Sequence, residues 1–242
     1  MALTLPGSSQ STGGSYLKTL DIDFRAAEGK FSYYDGESIE EDKVEGIVVG
    51  EGFEFRGTVG RPTKNKGINY ISETFGYDQM KGGLIRIHQF IREGKNNSNA
   101  PMGKKTYQEW RDQGMKLHRV VFLLQGDTLA KVIFSPVATK PVGDVISKNR
   151  DLPNFYSEIT ILKKEDGTPM MYENDNGEFF VPTINKLKPI EQSDEDRVLA
   201  RIKEVDAVVN KKEAVELPSA PAPSSNPRVS DMSIDDIPFR QQ

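Results

Sequence analysis

Apolar and polar residues alternate along most of this chain. From about residue 43 to residue 190 the alternation has a period of two and is carried by β-branched and aromatic side chains, the pattern of half-buried strands. It predicts strands at 44–49, 53–59, 69–75, 84–91, 116–124, 129–134, 157–162 and 179–184. Glycine- and asparagine-bearing turns separate them at 50–52, 64–67, 82–83, 125–127, 165–167 and 175–177, and the last two read as hairpin turns. Short helices are expected at 106–112 and 142–148. Many short strands with few helices make a mainly β domain, a barrel or a sandwich. That domain is expected over residues 16–190, with the polar stretch 96–105 as a loop insertion.

The period changes after residue 190. Val198, Ile202, Val205 and Val209 fall at spacings of four, three and four, one apolar stripe on an amphipathic helix over residues 191–212. Ser193 and Asp196 resemble a capping box at its start. The stripe is expected to pack back on the β domain, with self-association through it as the alternative. Residues 213–230 turn to Pro, Ser and Ala, which cannot bury a core and read as an extended linker. Residues 1–15, rich in Ser, Gly and Gln, read as a flexible N-terminus. Residues 231–242 form an acidic tip.

Composition narrows the chemistry. The 242 residues contain no cysteine, so neither a disulfide framework nor a thiolate metal site is available. The N-terminus lacks the basic and apolar regions of a signal peptide, and no apolar run reaches the ~18 residues of a membrane helix. The expected location is the cytoplasm of a cell or of an infected host, with no membrane partner. The net charge of −4 conceals a segregation. Residues 56–119 hold 13 Lys/Arg against 5 Asp/Glu, a net of +8, while residues 1–55 hold 4 against 11, a net of −7. A polyanion would seek the first of these blocks and avoid the second.

Within the basic block, strand 84–91 alternates Ile85, Ile87 and Ile91 with Arg86, His88, Phe90 and Arg92. A face of cations interleaved with an aromatic ring suits single-stranded nucleic acid: bases stack on the ring and cations track phosphates. The candidate contacts are Arg56, Arg61, Lys64, Lys66, Tyr70, Tyr77, Lys81, Arg86, His88, Phe90, Arg92, Lys104, Lys105, Tyr107, Trp110 and Arg111. Phe53 and Phe55 are assigned to the core. Trp110 is read as either a base platform or a core anchor. Other chemistries drop out. His88 and His118 are too few and wrongly spaced for a zinc site. Gly103-Lys104-Lys105-Thr106 lacks the upstream glycine of a phosphate-binding loop, since Ser98 stands there. Glu40-Glu41-Asp42 reads as a solvated loop. No cofactor and no catalytic activity are expected.

The tip carries Asp235-Asp236-Ile237-Pro238-Phe239. Phe239 suits an apolar pocket, Pro238 lowers the ordering cost of docking, and the two carboxylates suit a basic rim. The stretch resembles the acidic tip of bacterial single-stranded DNA-binding proteins. It departs from them in that Arg240-Gln241-Gln242 follow the phenylalanine and displace the terminal carboxylate. The resemblance, best suited to a divergent bacteriophage or mobile-element member, implies an OB-fold-like barrel with insertions and a bacterial or phage-infected host cell. It also implies that the domain coats single-stranded DNA without strong sequence preference, while the tip recruits replication, recombination and repair proteins. An adaptor whose β domain binds protein, or an RNA chaperone, are the other readings.

Overall fold

The computed structural model describes residues 17–63, 66–93, 96–174 and 177–210, with side chains at 58–69, 90–100 and 174 left aside. Three strands precede the region where alternation is most regular: β1 (Leu20–Arg25), β2 (Lys30–Tyr34) and β3 (Ser38–Glu41). β4 (Val44–Thr63) is one long strand where two were expected. It absorbs the Gly50-Glu51-Gly52 signal as a bulge between Val48 and Gly50. Then come β5 (Lys66–Ser72), α1 (Tyr77–Met80), β6 (Leu84–Glu93), β7 (Asn96–Thr106), α2 (Tyr107–Asp112), β8 (Lys116–Gln125) and β9 (Thr128–Phe134). α3 (Pro136–Lys148), β10 (Phe155–Ile161), β11 (Met171–Asn174), β12 (Gly177–Phe180), β13 (Pro182–Pro189) and α4 (Glu195–Val209) complete the chain as described.

Eleven strands form one sheet in the order β3-β2-β1-β9-β8-β4-β5-β6-β7, with β10 joined to the inner end of β4 and β13 to β10. β1 and β9 pair in parallel, and the other pairings are antiparallel. Among the described residues no pairing joins β3, β7 or β13 to one another. The sheet is therefore open, and the expected OB-fold barrel, with the membership in the single-stranded DNA-binding family that implied it, is corrected. The physical reason is that alternation reports which face of a strand is wet, not which neighbour it takes. Here β1–β3 extend the sheet beyond β9, and β5–β7 extend it beyond β4.

Three apolar clusters hold the layers together. Ile22, Phe24, Val121, Leu123, Val132 and Phe134 of the sheet pack with Ala138 and Val142 of α3 and with Ile159 and Ile184 of β10 and β13. On the opposite face Val120, Phe122, Leu124 and Ile133 pack under Val198, Val205 and Val209 of α4. The apolar stripe of α4 thus lies against the sheet. It can approach because position 50 is glycine: a Cβ there would stand 2.6 Å from Val205 Cγ1. The third cluster joins Phe53, Phe55 and Phe75 to Ile85, Ile87 and Trp110.

Local differences have local causes. The capping box at Ser193 and Asp196 is not formed; the N-cap of α4 is Asp194, which pairs instead with Arg197 at 2.6 Å and accepts from the Tyr156 hydroxyl. α2 does have a reciprocal box, in which Thr106 accepts from the Glu109 amide and Glu109 accepts from the Thr106 amide at 2.8 Å. α3 begins at Pro136, six residues before the expected start, since proline is pre-set for a first helical position. The expected loop insertion at 96–105 is strand β7, hydrogen-bonded along β6. An edge strand has loop-like composition, and Pro101 and Gly103 (φ +100°) blunt its free side.

Candidate nucleic-acid interface

The outer half of β4 with β5, β6 and β7 makes an arm with two unlike faces. One belongs to the core: Ile85 and Ile87 are buried against Phe55 and Trp110. The register sets the other. Arg86 lies opposite Lys104, and His88 lies opposite Pro101 on one side and Ile71 on the other. Ile71 in turn lies opposite Arg56, which lies opposite Lys116. Cross-strand partners share a face, so these residues line one surface.

On it Arg86 Nη1 stands 3.4 Å from Glu73 Oε1, and His88 Nε2 stands 3.7 Å from the same oxygen. Phe90 and Arg92 continue β6 and Lys66 lies on β5, all with paired backbones, and Arg61 lies on β4 within the register shift between Val59 and Thr63; the side chains of these four fall outside the description. Lys64 lies outside the described residues, as do Asp235, Asp236, Ile237, Pro238 and Phe239.

The remaining candidates divide. Trp110 is 2% exposed, and its indole N–H donates to the Ile85 carbonyl at 2.8 Å. Its ring is enclosed in the core, with Lys105 Nζ 4.8 Å from its centroid. It is a core anchor, not a base platform. Tyr107 packs on Phe55 at 5.4 Å, and Tyr70 packs on the same cluster. Tyr77 is half-exposed but lies edge-on to Phe53, and its hydroxyl accepts from Arg119 at 3.0 Å. Arg111 and Lys81 are exposed on or beside the short helices α2 and α1.

Arg56 belongs to a charge network that sequence reasoning missed. Glu54, only 1% exposed, accepts from Arg56 at 2.9 and 3.0 Å, from Lys131 at 3.0 Å and from the Thr74 hydroxyl at 2.7 Å. Asp21 pairs with Lys131 at 3.1 Å, and Asp23 with Arg56 at 3.4 Å, although β8 and β9 lie between β1 and β4 in the sheet. Burial alone would raise the Glu54 carboxyl; Lys131 and Arg56 overcome it and hold the group at about 2. His118, opposite Glu54, is pushed down to about 4 by burial and by Arg56 beside it. Three carboxylates against two cations make this end of the face a poor host for phosphate. The signal in the sequence was charge at period two: Glu54 and Arg56 on one strand, Asp21 and Asp23 on another.

Elsewhere, an open cleft of about 330 Å³ lies where α4 meets β4 and α1. Its charged lining is Glu51, Asp78 and Asp206, which disfavours an anion. Arg119, nearly buried, pairs with Glu51, donates to the Thr139 carbonyl at 3.0 Å and lies over the Phe53 ring. No group of His, Asp or Glu among the described residues is arranged to hold a metal. No helix among them is long and apolar enough to cross a membrane. No protein family, curated protein or solved structure matches the chain.

Proposed function

We propose that this chain binds single-stranded nucleic acid, DNA in the first instance, with little sequence preference along the polar face of β5, β6 and β7. The register carries this reading: it sets Arg86 beside Lys104 on the face that the buried Ile85 and Ile87 leave to solvent. β5, β6 and β7 lie within the block with net charge +8. Its strand path continues through Phe90 and Arg92, the residue types that stack on bases and pair with phosphates. The buried network at Arg56 ends that path on the side of β8. The acidic tip, Asp235 to Phe239, serves as a tethered peptide that recruits replication, recombination or repair proteins. The protein acts without catalysis, in the cytoplasm.

Labelled oligo-dT, followed by fluorescence anisotropy, tests the reading. Binding is expected at low salt, with an affinity that falls steeply as salt rises and exceeds that for duplex of the same length. No binding at low salt, or a preference for duplex, overturns it. Deleting residues 231–242 should leave this affinity unchanged or raised. Loss of binding on that deletion would place the site in the tail instead.

A further inference from the structure

We propose that Glu73 is an internal stand-in for phosphate: its carboxylate holds the place on Arg86 that a backbone phosphate of the bound strand takes, so binding proceeds by exchange and Glu73 sets the affinity. This rests on the reading of the β5–β7 face given above.

Glu73 directly follows the last residue of β5, and its amide donates to the Arg86 carbonyl at 3.1 Å, which fixes it beside that arginine. One carboxylate oxygen faces both Arg86 Nη1 at 3.4 Å and His88 Nε2 at 3.7 Å. Both separations exceed a charge-assisted hydrogen bond, which closes to about 2.7–2.9 Å. His88 Nε2 is buried with no hydrogen-bond partner. A phosphate, with more acceptor oxygens than Glu73 turns toward this pair, can serve both groups. The carboxylate and Arg86 are within reach of a ligand, their side chains being 27% and 35% exposed, while His88, 14% exposed, lies behind the carboxylate and is reached only when it moves away. Glu54 marks the contrast. It is sealed in the sheet with contacts of 2.9 and 3.0 Å to two cations, and no ligand displaces it.

The test is an oligo-dT titration over a range of salt concentrations with the full-length chain, Glu73→Gln, Arg86→Gln and the double variant, each checked for an unchanged urea midpoint. Glu73→Gln is expected to tighten binding about three- to tenfold. It should also steepen the slope of log affinity against log salt by about 0.7, the contribution of one phosphate contact on a single strand. In the Arg86→Gln background the same change should do little. Glu73→Asp, which keeps the charge, should stay near the wild-type slope. Wild-type binding that Glu73→Gln leaves unchanged in affinity and slope overturns the inference alone. So does a tightening that persists without Arg86. Failure of the wild-type chain to bind overturns the parent reading and this one with it.

Discussion

Glu54→Ala is expected to lower the free energy of unfolding by about 3 to 5 kcal/mol, the cost of removing one partner from a buried ionic group. The variant strips the carboxylate from between Lys131 and Arg56, whose side chains are only 14% and 19% exposed. Asp21 and Asp23 remain, but they sit at the rim and are half-exposed or more. A urea titration reads the loss as a lower midpoint with an unchanged slope. Replacing Glu54, Arg56 and Lys131 together by leucine should recover most of it, because no charge is then left buried. If Glu54→Ala unfolds at the wild-type midpoint, the carboxylate is not the hub of the network.

The same group makes the fold acid-sensitive. The Glu54 carboxyl lies at about 2 in the folded protein against 4.5 when free. As pH falls the unfolded chain takes up this proton first. The stabilisation is complete above about 4.5 and drains away between there and 2, about 3 kcal/mol in all. His118 begins the loss earlier. Its imidazole is held at about 4 against 6.5, so protonation of the unfolded chain starts to cost stability below 6.5.

Trp110→Ala should cost a further about 3 to 5 kcal/mol, the range for emptying a large aromatic from a core. The cavity opens among Phe53, Phe55, Phe75, Ile85 and Ile87, and the Ile85 carbonyl loses its donor. Trp110→Phe fills much of the space but leaves that carbonyl unpaired, and is expected to cost about 1 to 3 kcal/mol. Trp110 is the only tryptophan, so its emission reports directly. It should be blue-shifted in the folded chain and unchanged when oligo-dT binds. Quenching by oligo-dT without unfolding would return the ring to the interface.

What the sequence revealed followed from its periodicities. Alternation located most strands from β4 to β13, and the four-three-four spacing located α4 and the residues it buries. The two faces of β6 were legible because Ile85 and Ile87 differ so sharply from Arg86 and His88. Pairing was not legible. Nothing local in Leu20–Arg25 says that it joins β9 in parallel. Trp110 misled because its neighbours Lys104, Lys105 and Arg111 are basic, while its ring turns inward on a helix of six residues. Arg56 misled because its charge is balanced by residues 2, 33 and 35 positions away. Ion pairs between strands that are not neighbours become visible only when the strands are in place.

The most direct test of the proposed interface is amide hydrogen exchange on the full-length chain with and without saturating oligo-dT. Slowed exchange is expected in β5, β6 and β7, with α4 and the strands beneath it unchanged. Protection confined to the α4 side, or none anywhere at saturation, would contradict binding along this face.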